Sequence, residues 1–136
     1  MVLLLALKIT FLGTSASIPT KKRGQVSIAV QRGRDLLLFD AGEGVQRAII
    51  ESKIGFKRSM KIFISHLHGD HCLGLLGLLQ TMAMMDRTDS LQIYGPIGIT
   101  KFISVNMEAL NSVSYTNLRA HEKLRYLVCR IQLEKK

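Results

Sequence analysis

Four side chains that can bind a metal ion fall within six residues, directly after a short apolar run. The run is Met60–Ser65, whose apolar residues predict a buried strand, and the four side chains belong to His66, His68, Asp70 and His71. Imidazole and carboxylate together suit Zn²⁺ or a comparable divalent ion. The pattern therefore predicts a metal centre at the end of a β-strand, and no other cofactor signal in the sequence competes with it.

The spacing of these residues favours an extended chain over a helix. Only residues three or four apart are neighbours on a helix, so His66 and His68 would face different sides of one. In an extended chain residues two apart share a face, so His66, His68 and Asp70 point the same way. A sharp turn at Gly69 is then expected to bring His71 beside them, which makes Gly69 the predicted hinge of the site.

The number of ligands favours two ions over one. An open catalytic zinc usually keeps three protein ligands and a water, so four ligands indicate a pair of ions about 3.5–4 Å apart. Such a pair needs about six to eight ligands, of which these residues supply only half. The alternative is a solvated loop with a chance run of histidines. The position after a strand, and the apolar segment Leu73–Met85 that follows, favour the metal site.

The residues around this motif resemble those of a known enzyme family. Ser65–His71 is similar to the HxHxDH signature of the metallo-β-lactamase superfamily. Further segments resemble ribonuclease Z, the endonuclease that removes tRNA 3′ trailers: Phe11–Ser15, Pro19–Arg23, Leu38–Arg47 and Tyr94–Gly98. The likeness extends from about Leu7 to about Asn111. It implies an α/β fold, the αββα sandwich of the superfamily, of which this chain is expected to hold only the N-terminal half.

The resemblance implies a role for each residue of the motif. His66 and His68 would bind one zinc ion, and Asp70 and His71 the other. Asp70 would also act as general base towards a water shared by the metals, and the hydroxide formed would attack the phosphorus of precursor tRNA. The tRNA would keep a 3′-hydroxyl and the trailer a 5′-phosphate. Asp40 matches the superfamily's aspartate that orients the ligand loop without binding metal.

A short basic segment is the predicted RNA contact. Lys21 and Arg23 match a family loop of pattern PxKxRN that reads the tRNA 3′ end, although Gly24 stands where that pattern has asparagine. On charge alone the segment is interpreted as an ordinary solvated turn after Pro19, because short basic clusters are common. The family context favours the RNA role. The net charge of +9 also favours a polyanionic partner.

The rest of the ligand set that the resemblance implies is missing from the sequence. The family has a histidine, a bridging aspartate and a last histidine further downstream, whereas His121 is the only later histidine here and no aspartate follows Asp89. His121 lies in a basic, helix-like stretch and is interpreted as a surface residue. A chain of 136 residues is therefore expected to be truncated, with an uncovered apolar face, and weakly active or inactive alone.

Two regions are predicted along the chain. Residues 1–111 form the N-terminal part of a metallo-β-lactamase domain, and residues 112–136 form a basic tail that does not resemble the family and is interpreted as a foreign or frame-shifted end. Apolar residues of the tail fall near helical spacing: Leu118, Leu124, Leu127, Val128 and Ile131. Strands are expected near Leu4–Leu12, Val26–Gln31, Asp35–Asp40, Lys61–Ser65 and Leu91–Tyr94, and helices near Val45–Lys53, Leu73–Met85 and Ile99–Leu110.

Composition bounds the cellular setting. The only cysteines, Cys72 and Cys129, form no metal-type pair, which favours a reduced, cytoplasmic protein, and Cys72 is interpreted as a buried, inert thiol. The apolar start Met1–Leu7 lacks the basic region of a signal peptide and is interpreted as the start of a first, buried strand. No apolar stretch reaches the ~20 residues needed to span a bilayer. The resemblance implies a homodimer for the full-length protein.

Three functional hypotheses follow. The first is a zinc endoribonuclease of the ribonuclease Z kind. The second is another hydrolase with the same fold, such as a phosphodiesterase or an arylsulfatase, because many chemistries share the ligand motif. The third is a non-catalytic RNA-binding or dimerising module. The segments around Pro19–Arg23 and Asp40–Gln46 favour the first, and the intact metal motif argues against the third.

Overall fold

Strands and helices alternate along the chain. The computed structural model describes residues 6–56, 59–85, 87, 89–110 and 118–122. Its elements are β1 (Leu7–Gly13), β2 (Ser27–Arg32), β3 (Asp35–Phe39), α1 (Val45–Glu51), β4 (Ser59–Phe63), α2 (Gly69–Met84), β5 (Leu91–Gly95), α3 (Ile99–Ala109) and β6 (Leu118–Glu122). This order confirms the predicted α/β class.

The described strands form one sheet in the order in which they occur in the chain. β1, β2 and β3 pair antiparallel as successive hairpins, and β3, β4, β5 and β6 pair parallel. Each parallel step crosses over through one helix, and the steps all advance in the same direction across the sheet. Because such crossovers are right-handed, α1, α2 and α3 lie on the same face.

The core lies between that helix layer and the sheet. Alternate residues of the strands point into it, as Leu36 and Leu38 of β3 and Met60 and Ile62 of β4 do. The helices contribute buried residues at helical spacing: Val45, Ile49, Leu75, Leu78, Leu79, Met82, Ile99, Ile103 and Met107. Each of these elements is thus held by one apolar face.

The opposite face of the sheet, called the open face below, is apolar but has no second layer over it among the described residues. Leu7, Ile9 and Phe11 of β1 are 61%, 54% and 67% exposed there. Further along the sheet, aromatic rings of neighbouring strands stack at centroid separations of 5.1, 5.0 and 5.0 Å: Phe39, Phe63, Tyr94 and His121. The described residues therefore form one helix layer and one sheet layer, with an uncovered apolar surface.

Most predicted elements are confirmed, with shifted ends. Three expectations are wrong. The central helix α2 begins at Gly69 and not at Leu73, and residues 118–122 form a strand although the apolar spacing indicated a helix. The first strand was expected to be buried, but most residues of β1 are exposed. Residues 1–5 at the start of the chain, and residues 112–117 and 123–136 of the tail, lie outside the described residues. Within the part described, no helix is long and apolar enough to cross a membrane.

Candidate metal centre

The four predicted ligands meet at the carboxyl-terminal edge of the parallel strands. β3 and β4 are parallel neighbours, so the residues that follow them emerge side by side. Asp40 follows β3 directly, and the segment from Ser65 to His68 follows β4 and leads into α2. Ligand sites of open α/β sheets lie at this edge of the strands. We call His66, His68, Asp70 and His71 the ligand cluster.

The chain is extended at His68, as expected, but it becomes helical from Gly69 onwards. His68 is the N-cap residue of α2, so Asp70 and His71 lie in the first turn of the helix. The His71 N–H donates to the His68 carbonyl at 2.9 Å, which closes that turn. Gly69 is not among the glycines with a positive φ, so the start of the helix, and not a glycine hinge, brings His71 to the other ligands. A carboxylate in the first turn is also favoured by the helix dipole.

The side chains of the cluster are in mutual contact. The ring centroids of His66 and His68 are 4.5 Å apart, and those of His66 and His71 are 4.1 Å apart. Two donor pairs can be distinguished. His66 Nε2 lies 3.0 Å from His68 Nδ1, and His71 Nε2 lies 3.5 Å from Asp70 Oδ2. The structure therefore brings together all four residues that the sequence predicted as ligands.

The spacing of each pair is compatible with a shared divalent ion. Two ligands that sit ~2.0–2.1 Å from a tetrahedral zinc ion are about 3.4 Å apart, and the two pairs lie within about half an ångström of that separation. In the part of the chain that is described, no group of three or more His, Cys, Asp or Glu side chains is arranged to hold one ion. Each pair thus has the spacing of two ligands of one ion, and neither pair completes a metal site by itself.

Asp40 is a buried carboxylate that forms hydrogen bonds with the segment carrying the ligand cluster. Its Oδ1 accepts the Ser65 N–H at 2.7 Å, and its Oδ2 accepts the Ser65 hydroxyl at 2.8 Å and lies 2.8 Å from His71 Nδ1. The residue is only 8% exposed, so these contacts replace water at a buried carboxylate. Its φ of 59° is unusual for a residue with a side chain. The aspartate expected to orient the ligand loop does contact that loop.

Backbone contacts hold Asp40 in this conformation. Its N–H donates to the Phe63 carbonyl at 2.8 Å, and its own carbonyl accepts the hydroxyl of the buried Ser27 at 2.9 Å. A left-handed conformation at a residue other than glycine costs about 1–3 kcal/mol and persists only where the surroundings enforce it. Ser27 and the end of β4 provide that enforcement, because both are fixed in the sheet.

Asp70 is held by a loop that comes from the start of the chain. The Ser17 N–H donates to Asp70 Oδ2 at 3.0 Å. This bond lowers the pKa of the Asp70 carboxyl below its usual value, and the neighbouring His71 adds to the effect. The pKa of His66 is also lowered, first because burial disfavours the charged ring and then because of His71 and His68. Both shifts favour the protonation states that bind metal.

Gln25 is a residue of this region that sequence reasoning missed. It is 7% exposed, its Nε2 donates to the Ser17 carbonyl at 2.8 Å, and its Oε1 accepts the Glu43 N–H at 2.9 Å. Gln25 therefore ties the loop that holds Asp70 to the segment that follows Asp40. A glutamine after a basic turn carries no metal or catalytic signal, so only the fold reveals this contact.

The predicted RNA-binding residues lie in the same loop but do not touch the cluster. Lys21 and Arg23 are exposed. The turn that carries them is closed by Thr20, whose N–H donates to the Arg23 carbonyl at 2.9 Å and whose hydroxyl accepts the Arg23 N–H at 3.0 Å. Among the described residues, neither basic side chain forms an ion pair or hydrogen bond with Asp70 or the histidines.

Two further residues behave as expected from the sequence. Cys72, the second residue after Asp70, is buried, its Sγ donates to the His68 carbonyl at 3.2 Å, and burial raises the pKa of its thiol. It is therefore a structural residue. His121 is exposed, as predicted, but lies in β6 and stacks on Tyr94.

Comparison with known proteins gives one matching family model and several similar proteins that carry a different description. A protein-family model described as "Anti-Pycsar protein Apyc1" matches residues 7–110. A ribonuclease Z of Nitrosopumilus maritimus is 53% identical over 105 residues, which are 77% of this chain and 35% of that protein. A ribonuclease Z of Methanosarcina acetivorans is 44% identical over 113 residues, or 83% and 36% of the two chains. The chain thus spans about a third of the length of these curated relatives.

Solved structures agree. Human tRNase Z, short form, superposes with a TM-score of 0.77 at 39% identity, over 84% of this chain and 43% of that one. The long form RNase Z from yeast gives 0.73 at 25% identity, over 87% and 18%. YhfI of Bacillus subtilis, a metallo-β-lactamase fold protein, gives 0.69 at 21% identity over 89% and 47%, which supports the fold alone. The predicted metallo-β-lactamase fold and the resemblance to ribonuclease Z are confirmed over the matched residues, and the chain belongs to the family that the Apyc1 model defines.

Proposed function

We propose that this chain is the N-terminal part of a zinc-dependent endoribonuclease that removes 3′ trailers from precursor tRNA. The observation that carries the proposal is that two donor pairs lie together at the carboxyl edge of the sheet. One is His66 with His68, and the other is Asp70 with His71. The names of the similar proteins support the substrate, since the curated relatives described above are ribonuclease Z. The ligand cluster favours a hydrolase over a non-catalytic module, and the names of these relatives favour a nuclease over another phosphodiesterase or an arylsulfatase.

The donor pairs define which atoms would hold metal. His66 Nε2 and His68 Nδ1 would bind one divalent ion, and His71 Nε2 with the Asp70 carboxylate would bind the other. Two such ions supply a water acidic enough to lose its proton near neutral pH and neutralise charge on the phosphate. The remaining ligands, and the second sheet of the sandwich, would come from a region equivalent to the rest of the relatives' length. That region would cover the open face.

Asp70 would take the proton from the attacking water. The Ser17 N–H and His71 both contact Oδ2, so Oδ1 is the oxygen available to accept the proton. The lowered pKa keeps Asp70 ionised at neutral pH but makes it a weaker base. Proton transfer would therefore depend on the acidity that the ions give to the water, and Asp70 would contribute mainly by its fixed position.

The basic turn would contact the RNA backbone. Lys21 and Arg23 are exposed on the loop whose Ser17 contacts Asp70, so a phosphate bound to the turn would lie on the loop that holds the catalytic carboxylate. Contacts of this kind release counterions, which makes binding weaker as salt rises. Precursor tRNA as the partner, a homodimer for the full-length protein and a cytoplasmic location complete the proposal.

The experiment that tests this function is cleavage of a 3′-extended precursor tRNA by the full-length protein. We expect Asp70→Ala to lower turnover at least ~100-fold with the fold retained, because a ligand and a general base are removed together. Asp35→Ala is the matched control, since Asp35 lies at the opposite end of β3 and is exposed. Near-normal cleavage by Asp70→Ala would refute the assigned role.

The same assay separates the competing hypotheses. Hydrolysis of small phosphodiesters without cleavage of precursor tRNA would favour another hydrolase with this fold. RNA binding without hydrolysis of either substrate would favour a non-catalytic module. Cleavage at the 3′ trailer that is lost on metal chelation and restored by zinc would support the proposal.

A further inference from the structure

The hydroxyl of Ser65 lies between the two donor pairs of the ligand cluster. Its Oγ is 2.8 Å from Asp40 Oδ2 and 2.9 Å from His66 Nδ1. The same Asp40 oxygen is 2.8 Å from His71 Nδ1. One carboxylate therefore reaches His71 directly and His66 through Ser65, although these two histidines belong to different donor pairs.

The direction of each hydrogen bond follows from what the groups can donate. An ionised carboxylate only accepts, so the Ser65 hydroxyl must donate its single hydrogen to Asp40 Oδ2. The contact between Ser65 Oγ and His66 Nδ1 then requires a hydrogen on the nitrogen, which donates to the oxygen. By the same reasoning, His71 Nδ1 carries a hydrogen that is donated to Asp40.

These directions set the free nitrogen of each ring. A neutral imidazole carries one hydrogen, so hydrogens on Nδ1 leave Nε2 of both His66 and His71 with a lone pair. Those are the atoms that face His68 Nδ1 and Asp70 Oδ2. His68 then has to donate from Nδ1 to His66 Nε2 in the metal-free chain.

We infer that Ser65 is a positioning residue that extends the control of Asp40 from His71 to His66. A single buried carboxylate thereby fixes the tautomers of two histidines, one in each donor pair, before metal binds. The hydrogen-bond arrangement itself does not depend on the proposed function. Only its benefit, which is to prepare the ligand cluster for metal, rests on that function. A second consequence is that His68, and neither of the other histidines, moves its hydrogen from Nδ1 to Nε2 when metal binds.

Nitrogen NMR of the histidine rings in the metal-free chain at neutral pH tests the inference directly. We expect His66 and His71 to carry their hydrogens on Nδ1. In Ser65→Ala, His66 should lose this preference, whereas His71 should keep it because its contact with Asp40 is direct. Ser65→Thr should restore the His66 tautomer. Ser104→Ala is the control, because Ser104 lies exposed on α3.

Metal affinity provides an independent readout. Loss of a partner that orients a ligand typically weakens metal binding about 10–100-fold. We expect a loss of that size for Co²⁺ titrated into Ser65→Ala, recovery to within about threefold in Ser65→Thr, and none in Ser104→Ala.

The two readouts keep the inference apart from the proposed function. His66 protonated on Nε2 in the unaltered chain, or a His66 tautomer unchanged by Ser65→Ala, would overturn the inference whether or not RNA is cleaved. If the tautomers are as expected but the full-length protein does not cleave RNA, the positioning role of Ser65 stands and the proposed function is refuted instead.

Discussion

At the scale of single residues, polar side chains hold the ligand cluster through contacts that involve no metal. Asp40 and Ser65 hold the histidines, and Ser17 holds Asp70. The sequence identified the ligands and Asp40, because their spacing and order carry a recognisable pattern. It did not identify Gln25 or Ser17, because their roles depend on a loop that returns from 53 positions away in sequence to contact Asp70.

Gln25 provides a residue-scale prediction. Gln25→Ala removes the donor to the Ser17 carbonyl and leaves the Glu43 N–H without its partner, so the loop that carries Ser17 should open more often. We expect the Ser17 amide to exchange with solvent about tenfold faster, which corresponds to one lost hydrogen bond of ~1.4 kcal/mol. Gln31→Ala is the control, since the Gln31 Oε1 has no hydrogen-bond partner among the described residues. Equal exchange in both variants would contradict the prediction.

Asp40 combines a charge role with an unusual backbone, and two substitutions separate these. Asn tolerates a positive φ better than most residues, but its Nδ2 cannot accept a hydrogen as a carboxylate oxygen does, so Asp40→Asn should lose only about 1–2 kcal/mol of the free energy of unfolding. Asp40→Ala should lose about 2–3 kcal/mol, because it adds backbone strain to unpaired polar groups. Urea unfolding of the two variants measures this difference. Equal losses would show that the backbone conformation contributes nothing.

At the scale of elements, the close approach of α2 to the segment after β3 fixes where the ligands of the first turn lie. A Cβ at Gly74 would fall 2.0 Å from the Gly42 carbonyl oxygen, which is backbone and cannot move alone. A Cβ at Gly77 would instead meet the Gln46 side chain at 2.6 Å, which can turn aside. Of these two glycines, only Gly74 would bring a Cβ against backbone.

A matched pair of substitutions tests this contact. Gly74→Ala should destabilise the chain by about 1–3 kcal/mol through forced displacement, in spite of the helix propensity of alanine. Gly77→Ala should lie within about 1 kcal/mol of the unaltered chain, since the gain in helix propensity offsets the movement of Gln46. Chemical denaturation with far-UV circular dichroism measures both. A more stable Gly74→Ala variant would contradict the packing described here.

The predictability of elements followed their apolar pattern. β3 and α3 were placed within about two residues, because β3 is a short continuous apolar run and the apolar residues of α3 repeat with the period of one buried face. β6 was missed, because Leu118–Glu122 has neither pattern. It forms where the edge of β5 offers backbone hydrogen bonds, with Leu118 paired to Leu91. The start of α2 was missed because polar ligands occupy its first turn.

At the scale of the whole molecule, the open face determines how the chain behaves alone. An apolar sheet surface without a covering layer among the described residues favours association with other surfaces. The sequence predicted this face from chain length and resemblance, but it did not predict the row of stacked rings, which depends on strand register. The same face is where the remaining part of the proposed sandwich would pack.

A comparison of exposed and buried apolar residues tests this view. Phe11→Ser on the open face should reduce self-association of the chain in sedimentation velocity, with less than about 1 kcal/mol lost in stability, because Phe11 is largely exposed. Leu38→Ala on the buried face should leave association unchanged but cost about 2–5 kcal/mol. If Phe11→Ser leaves self-association unchanged, the associating surface is not the open face.

The central claim is that the ligand cluster binds zinc. The most direct test is anomalous diffraction at the zinc edge, measured on crystals grown with zinc. We predict anomalous density at two positions, one between His66 Nε2 and His68 Nδ1 and one between His71 Nε2 and the Asp70 carboxylate, with partial occupancy in this chain alone. Zinc bound only at other sites, with both positions empty at saturating metal, would contradict the account.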